Sequence, residues 1–251
     1  MGKHPFYVDS VPLMTFRAPV DDSISAILDE IAETPEWAGM SNANILSLLH
    51  TLVVTCKLRK VVQLGTYVGV SSLVLGDAAR KVDGRLVTLD PDERVVNIAR
   101  GYISKAGLNP FVTTIQKGST DPEAIALLTA DAPYDLIYID SLHDYATTKE
   151  ELPVYWPLLR PSGFLCMDDA SELAADFDTK GQGGVHRAIR EWLPQVSDCE
   201  WIMMREPSWN PVGAFVATKV PPGLNLVGAA GRRQTIPYRA RKLLRVLRLR
   251  S

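Results

Sequence analysis

An apolar run opens abruptly into acids and a histidine in the segment YIDSLHDY, residues 138–145. A second apolar run, GFLCM at residues 163–167, is followed directly by Asp168 and Asp169. Each run has the length and composition of a buried strand that ends in carboxylates. The carboxyl ends of neighbouring parallel strands meet at one edge of a sheet, where open α/β sheets bind ligands. The two segments therefore predict a parallel α/β fold with a ligand site at the strand ends.

Strand and helix patterns alternate along the chain from Lys60 onwards. Strands are expected at residues 61–64, 85–89, 112–116, 136–140 and 164–167, and helices at residues 71–81, 93–106, 122–128 and 147–159. Two later segments, residues 201–205 and 214–218, are predicted to pair antiparallel and close the sheet. The predicted fold is an α/β, doubly wound, seven-stranded and mostly parallel sheet with the last strands antiparallel.

The sequence patterns divide the chain into three parts. Residues 1–58 contain two helical patterns without strand alternation, which predicts a helical cap in which residues 34–40 form a lid over the substrate. Residues 59–219 hold the alternating strands and helices of a catalytic domain. Residues 220–251 combine a linker rich in proline and glycine with a basic tail.

The composition is typical of a globular protein, with 251 residues, 46% hydrophobic content and a formal net charge of −2. The apolar runs are shorter than the roughly 20 residues that span a bilayer, and the first residues lack the pattern of an export signal. Three cysteines, set far apart in apolar contexts, predict reduced thiols. We therefore expect a cytoplasmic protein.

The end of the chain, residues 232–251, is strongly basic and contains no acidic residue. This charge favours contact with an anionic membrane surface or with the acidic body of a neighbouring subunit. A solvated, partly disordered end is the alternative. We expect a homo-oligomer, and no nucleic acid partner.

The segment VVQLGTYVGVSS, residues 61–72, predicts a buried strand, a glycine turn and the start of a helix. Gly65 and Gly69 allow the backbone to pass close to a ligand, and the helix N-terminus presents free N–H groups. Asp90 ends the second strand, where an acid accepts hydrogen bonds from the hydroxyls of a ribose. The alternative is that Asp90 caps the helix that follows Pro91.

The third strand ends in KGSTD, residues 117–121. Gly118 and Ser119 are candidates for contacts with an adenine ring. Equally, the polar side chains of this segment suit the cap of the next helix.

The order of these parts resembles the class I S-adenosylmethionine-dependent methyltransferases, from about residue 34 to about residue 218. The segments YDLIYIDSLHDY and LLRPSGFLCMDD are similar to small-molecule O-methyltransferases whose fourth strand ends in Ile-Asp-x-x-His-x-Tyr. This group includes the metal-dependent macrolide sugar O-methyltransferases. Asp140, His143 and Tyr145 fit the pattern, as does Gly184-Val185 before a later helix.

The resemblance implies S-adenosyl-L-methionine as the cofactor. The chain departs from the family at Gln63, where an acid is common, and at Ser162, where many relatives have glycine. The expected cofactor contacts are Gln63, Gly65, Thr66, Tyr67, Gly69, Ser71, Asp90, Gly118, Ser119 and Asp140.

Three aspartates at the strand ends are candidate metal ligands. Asp140, Asp168 and Asp169 offer hard oxygen atoms without a nearby thiolate, which suits Mg²⁺ better than Zn²⁺. The resemblance implies the same three positions as ligands. The alternative is that Asp168 or Asp169 accepts a hydrogen bond behind the ligands or caps a helix.

His143 follows Asp140 by three residues and is the candidate general base. An unperturbed imidazole has a pKa of about 6.5, so it is mostly neutral and able to accept a hydroxyl proton at neutral pH. Asp140 is expected to share the catalytic role through the metal. His50 and His186 lie in helical patterns and are expected to be packing or solvent residues.

Two other functions compete with methyl transfer. Tyr145 and Lys149 have the Tyr-x-x-x-Lys spacing of short-chain NAD(P) oxidoreductases, but Ser71 stands where their third glycine would be. A non-catalytic nucleotide-binding module would leave converging carboxylates to repel each other without a cation. We therefore expect an O-methyltransferase that acts, with Mg²⁺, on a hydroxyl of a small polar molecule. A sugar or natural-product glycoside is favoured over a catechol.

Overall fold

The computed structural model describes residues 19–37, 41–205, 209–210 and 212–223. The predicted basic tail, residues 232–251, and residues 38–40 of the predicted lid lie outside the described residues. Within these ranges the helices are α1 (Asp22–Ala32), α2 (Ala43–Cys56), α3 (Val70–Lys81), α4 (Glu93–Lys105), α5 (Pro122–Asp131), α6 (Tyr145–Tyr155) and α7 (Gly184–Trp192). The strands are β1 (Lys60–Leu64), β2 (Arg85–Leu89), β3 (Val112–Ile115), β4 (Tyr134–Ile139), β5 (Leu159–Met167), β6 (Cys199–Met204) and β7 (Ala214–Lys219). None of the helices in the described ranges is long and apolar enough to cross a membrane.

The seven strands form one sheet in the order β3-β2-β1-β4-β5-β7-β6. Six of them run parallel, and β7 runs in the opposite direction between β5 and β6. The predicted α/β fold and the antiparallel closing pair are thereby confirmed. The chain leaves β1 towards β2 and β3, then returns to place β4 on the other side of β1. A crevice forms at such a reversal of strand order, above the carboxyl ends of β1 and β4.

Successive strand residues face opposite sides of the sheet, and both sides are covered by helices. Val61 of β1 packs into a cluster with apolar residues of α1, α2, α3 and α4. The next residue, Val62, packs into a second cluster with α5, α6 and α7. Because both faces are buried there, the central strands β1 and β4 are mostly apolar.

Aspartates cap the helices that follow the central strands. The side chain of Asp92 accepts from the first backbone N–H groups of α4, and Asp121 does the same for α5. Asp144 caps α6. Each cap satisfies N–H groups that have no partner within the helix. The cap of α4 is therefore Asp92 rather than Asp90, and the cap of α5 is Asp121 rather than Ser119.

A buried polar cluster joins the first helices to the catalytic domain. Asp77 of α3 is fully buried, and its carboxylate contacts His50 of α2 at 3.0 Å. The same carboxylate pairs with Arg80 at 2.5 Å and with Lys81 at 2.7 Å. Asp21, just before α1, pairs with both cations from outside. His50, expected as a packing or solvent residue, is thus buried, with its Nε2 within hydrogen-bond distance of the Asp77 carboxylate.

Candidate active site

A cavity of about 680 Å³ lies at the carboxyl ends of β1, β2, β3 and β4. The predicted cofactor-binding residues line this cavity, with the exception of Gln63 and Gly69. Asp140 and His143 line it as well, so the nucleotide-like half and the acidic strand end open into one space. The cavity is the crevice that the strand order creates.

Gln63 lies beneath the glycine turn and is fully buried. Its Nε2 donates to the carbonyl of Gly65 and to the hydroxyl of Ser71, both at 2.6 Å. Its Oε1 accepts from the hydroxyl of Ser72 at 3.0 Å. The amide therefore holds the turn and the first residues of α3 together from behind.

Gly65 brings the glycine turn into direct contact with the end of β4. Its φ is +96°, in the left-handed region that favours glycine, and a Cβ built on it would lie 1.9 Å from the carbonyl oxygen of Asp140. Gly69, with φ +95°, precedes α3, and a Cβ there would lie 3.0 Å from the Cβ of Ala99. Glycine is required at Gly65 because backbone atoms of β4 occupy the space of a side chain.

Gly65→Ala is expected to destabilise the protein by at least about 3 kcal/mol. The added Cβ would clash with the backbone of Asp140, and alanine would have to adopt a positive φ that is strained for it. Urea unfolding measures this change. Gly101→Ala is the matched control: Gly101 lies in α4 with nothing within 4 Å of the added Cβ. That variant is expected to gain up to about 1 kcal/mol from helix propensity. Equal stability of the two variants would contradict the close contact at Gly65.

Asp90 lies on the cavity wall beside the glycine turn. One carboxylate oxygen accepts from the backbone N–H of Tyr67 at 2.9 Å, and the other accepts from that of Asp92 at 3.0 Å. These contacts fix the carboxylate in place. Each oxygen keeps a further lone pair, so both remain able to accept hydrogen bonds from a ligand.

Asp140, His143 and Asp169 converge at one side of the cavity. Each offers a ligand atom, and these atoms lie within 4.8 Å of one another. Nδ1 of His143 lies 2.6 Å from Oδ2 of Asp169. The structure thus brings together two of the three predicted metal ligands and the predicted base.

Asp168 points towards a different partner. Its Oδ1 accepts from Nδ2 of Asn210 at 2.9 Å and from the backbone N–H of Asp169 at 3.0 Å. Within the described residues, the group that could hold a metal contains Asp140, His143 and Asp169 without Asp168. Asp168 is buried, and it lies close enough to contribute to the raised pKa of His143.

Two hydroxyl groups orient the carboxylate of Asp140. Its Oδ2 accepts from Ser41, just before α2, at 2.7 Å and from Tyr138 at 3.1 Å. Sequence reasoning missed Ser41 and Asn210. Ser41 lies 99 residues from Asp140, and Asn210 lies 42 residues from Asp168, so no local spacing connects them.

The cluster concentrates negative charge in a region shielded from water. Burial, with a further contribution from Asp169, raises the pKa of Asp140, and burial together with both neighbours raises that of Asp168 well above its usual range. Burial alone would lower the pKa of His143, but its hydrogen bond to Asp169 and the nearby carboxylates raise it to about 9. A positive charge is therefore strongly favoured among these acids.

Tyr145 and Lys149 lie outside the cavity, on the surface formed by α6 and α7. Lys149 donates to the Tyr145 hydroxyl at 2.7 Å, and that hydroxyl donates to Glu191 at 2.6 Å. Arg187 stacks over the Tyr145 ring at 4.3 Å from its centre. The pair lines no part of the candidate site, so nothing in the geometry supports the oxidoreductase alternative.

His186, on α7, lies 3.5 Å from Glu172 and is not among the residues that line the cavity.

Known proteins that are similar to this chain are methyltransferases by name. A family model described as a methyltransferase domain matches residues 62–170. A protein of Mycolicibacterium smegmatis named as an O-methyltransferase is 34% identical over 184 residues, covering 73% of this chain and 85% of the relative. Another, from Mycobacterium sp. strain JLS, is 28% identical and covers 79% of this chain and 88% of the relative.

A solved structure shows the same architecture. The O-methyltransferase of Bacillus cereus, determined in complex with SAH, matches with a TM-score of 0.66 and 22% sequence identity. The match covers 80% of this chain and 92% of that structure. From these similarities and the strand-end cavity, the chain belongs to the class I S-adenosylmethionine-dependent O-methyltransferases.

Proposed function

We propose that the protein transfers the methyl group of S-adenosylmethionine to a hydroxyl of a small polar molecule, with Mg²⁺ assisting. A sugar or a natural-product glycoside is the preferred acceptor class. The observation that carries the proposal is one cavity lined by the glycine turn, Asp90, Asp140 and His143, with the Asp169 carboxylate within 4.8 Å of the ligand atoms of the last two. A cofactor and an acceptor hydroxyl would meet there.

The nucleotide-like half suits the nucleoside part of the cofactor. The carboxylate of Asp90 would accept from the ribose hydroxyls, because both of its oxygens have free lone pairs. Gly65 lets the turn lie against the backbone of Asp140, so that the turn and the end of β4 line the same cavity. Gly118 and Ser119 line the part of the cavity that would hold the adenine ring.

The acidic cluster fits a divalent cation. Asp140 and Asp169 would hold Mg²⁺ through carboxylate oxygens, with Ser41 and Tyr138 orienting Asp140 from behind. Burial, and after it the neighbouring carboxylates, raise the pKa of Asp140 and of Asp168, and a bound cation would favour their ionised forms. When bound, Mg²⁺ supplies positive charge that stabilises the developing alkoxide of the acceptor.

The residues of the cavity would position two reactants for an in-line displacement. The acceptor oxygen attacks the methyl carbon, the bond from that carbon to sulfur breaks, and S-adenosylhomocysteine leaves. His143 would take the hydroxyl proton at Nε2, because its Nδ1 faces Asp169. The carboxylates raise its pKa to about 9, so the imidazole is not mostly neutral as the sequence predicts; compensation of their charge by a cation would return it towards the neutral form that accepts a proton. Holding oxygen, methyl carbon and sulfur in line contributes much of the rate.

An acceptor panel tests the proposal directly. The protein, S-adenosylmethionine and Mg²⁺ are incubated with sugars, glycosides and catechols, and products are analysed by mass spectrometry for the gain of one CH₂ on oxygen. We expect methylated sugars or glycosides. Methylation of catechols alone would refute the acceptor class, and methylation of none of these hydroxyls would refute the proposed activity.

A further inference from the structure

Glu151 of α6 is a buried carboxylate with an unused acceptor. Its side chain is 0% exposed, whereas the neighbouring Glu150 is exposed. Oε1 accepts from the hydroxyl of Ser141 at 2.5 Å. Oε2 is buried and has no hydrogen-bond partner among the described residues. A buried carboxylate oxygen without a partner costs stability, so packing alone does not account for it.

The carboxylate lies directly behind the wall of the cofactor cavity. Ser141 lines that cavity, and so does Ser119 at the end of β3. The hydroxyls of Ser119 and Ser141 both favour the ionised form of Glu151. The carbonyl of Ser119 is in turn held by the hydroxyl of Tyr155 at 2.5 Å. Glu151 therefore acts on the hydroxyls of two serines that line the ligand space.

The protonation of Glu151 decides what these hydroxyls offer to a ligand. A serine that donates its only hydrogen to a carboxylate presents oxygen lone pairs to the cavity and acts as an acceptor. When the carboxyl is protonated, its own hydrogen can be donated to a serine oxygen, which frees the serine hydrogen to point into the cavity. An adenine amino group requires an acceptor, so the ionised form suits it.

We infer that Glu151 is a positioning residue of the cofactor cavity, which sets the hydrogen-bonding role of Ser141 and Ser119 and thereby tunes affinity for the adenosyl group. The inference rests on the proposed cofactor. It adds to the proposed function a residue that touches neither cofactor nor acceptor.

The groups around Glu151 place its ionisation near neutral pH. Burial raises the pKa of Glu151 to about 7, against the effects of the Ser119 and Ser141 hydroxyls and the charge of His143, while Asp144 raises it further. Tyr155 also faces the carboxyl group. Because the ionised form favours the adenine amino group, cofactor affinity rises as the pH passes upwards through about 7. By linkage, binding of the cofactor releases a proton.

Calorimetry of SAH binding, with Mg²⁺ at a fixed saturating concentration, tests the inference. In the wild type, affinity is expected to rise by up to about tenfold from about pH 6 to about pH 8, the effect of a one-unit pKa shift. Buffers of different ionisation enthalpy should reveal release of a fraction of a proton. Glu151→Gln is expected to lose both effects, whereas Glu150→Gln should retain them.

Ser141→Ala gives an independent test that leaves Glu151 in place. It is expected to flatten the pH dependence of SAH affinity, and it keeps the inference testable should Glu151→Gln not fold. If Glu151→Gln or Ser141→Ala keeps the pH dependence and proton release of the wild type, the role of Glu151 is overturned while the proposed cofactor stands. Failure of the wild type to bind SAH at either pH would overturn the proposed cofactor, and the inference with it.

Discussion

Replacing Asp169 by Asn is expected to lower turnover by about three orders of magnitude. Its carboxylate is one of the two that converge with His143 at 4.8 Å or less. Loss of a cation that stabilises a developing alkoxide removes several kcal/mol of transition-state stabilisation. Each 1.4 kcal/mol of this energy corresponds to about a tenfold change in rate. The substitution also removes the charge that pairs with His143 at 2.6 Å. SAH affinity is expected to change only a few-fold, because Asp90 and the glycine turn lie elsewhere in the cavity.

Asp176→Asn is the matched control for this variant. Asp176 lies in the short 3-10 segment Glu172–Phe177, close to Asp169 in sequence, but its side chain is exposed. Its turnover is expected to equal that of the wild type. Steady-state kinetics on the best acceptor measures turnover, and calorimetry measures SAH affinity. Turnover of Asp169→Asn within tenfold of the wild type would remove Asp169 from the catalytic cluster.

Replacing Asp77 by Asn is expected to lower the free energy of unfolding by about 3 kcal/mol, the cost of removing one partner of a buried ion pair. Asp77 is fully buried, and its carboxylate neutralises Arg80 and Lys81 while it contacts His50. Asp21→Asn is the control, since Asp21 pairs with the same cations but is 48% exposed. The free energy of unfolding of Asp21→Asn is expected to fall by at most about 1 kcal/mol.

The effect of Asp77→Asn should depend on pH. Burial alone would raise the pKa of Asp77, but the hydrogen bonds from His50, Lys81 and Arg80 hold it well below its usual range. A carboxyl with a depressed pKa stabilises the fold above its unfolded pKa of about 4, and this contribution is lost as the pH falls further. Urea unfolding of both proteins should therefore show a difference that shrinks below about pH 4. A constant difference would contradict the ion-pair account.

The central strands were predictable because burial on both faces makes them continuous apolar runs. β2 was predicted at its observed bounds, Arg85–Leu89. β5 begins at Leu159, earlier than the predicted residue 164. Pro161 and Gly163 interrupt the apolar pattern there, and Ser162 has a φ of +61°. The pairing with β4 is irregular at the same place, so local sequence gave no strand signal.

The site was predictable where a residue directly follows a strand. Asp90, Asp140 and Asp169 are of this kind, because the parallel sheet brings strand ends to one edge, whereas Asp168, predicted as a ligand, contacts Asn210 instead. Ser41 and Asn210 reach the cluster from outside the strands that carry it, through contacts that only the tertiary fold creates. Such partners have no sequence spacing that identifies them.

Glu151 was missed for a different reason. It follows Glu150 in a helical segment, and two consecutive glutamates in a helix are typical of a solvated surface. The structure turns only the second of them inwards, beneath Ser141. The side of α6 that packs on the sheet, rather than the residue type, decides which glutamate is buried.

Metal dependence of methyl transfer tests the catalytic role of the cluster most directly. Turnover of the wild type is measured on the best acceptor after removal of divalent cations with a chelator, and again after Mg²⁺ is restored, with SAH affinity measured in parallel. Transfer catalysed by a cation at Asp140 and Asp169 predicts loss of turnover with the chelator, recovery with Mg²⁺, and nearly constant SAH affinity. Undiminished turnover in the presence of the chelator would contradict a catalytic role for a cation at this cluster.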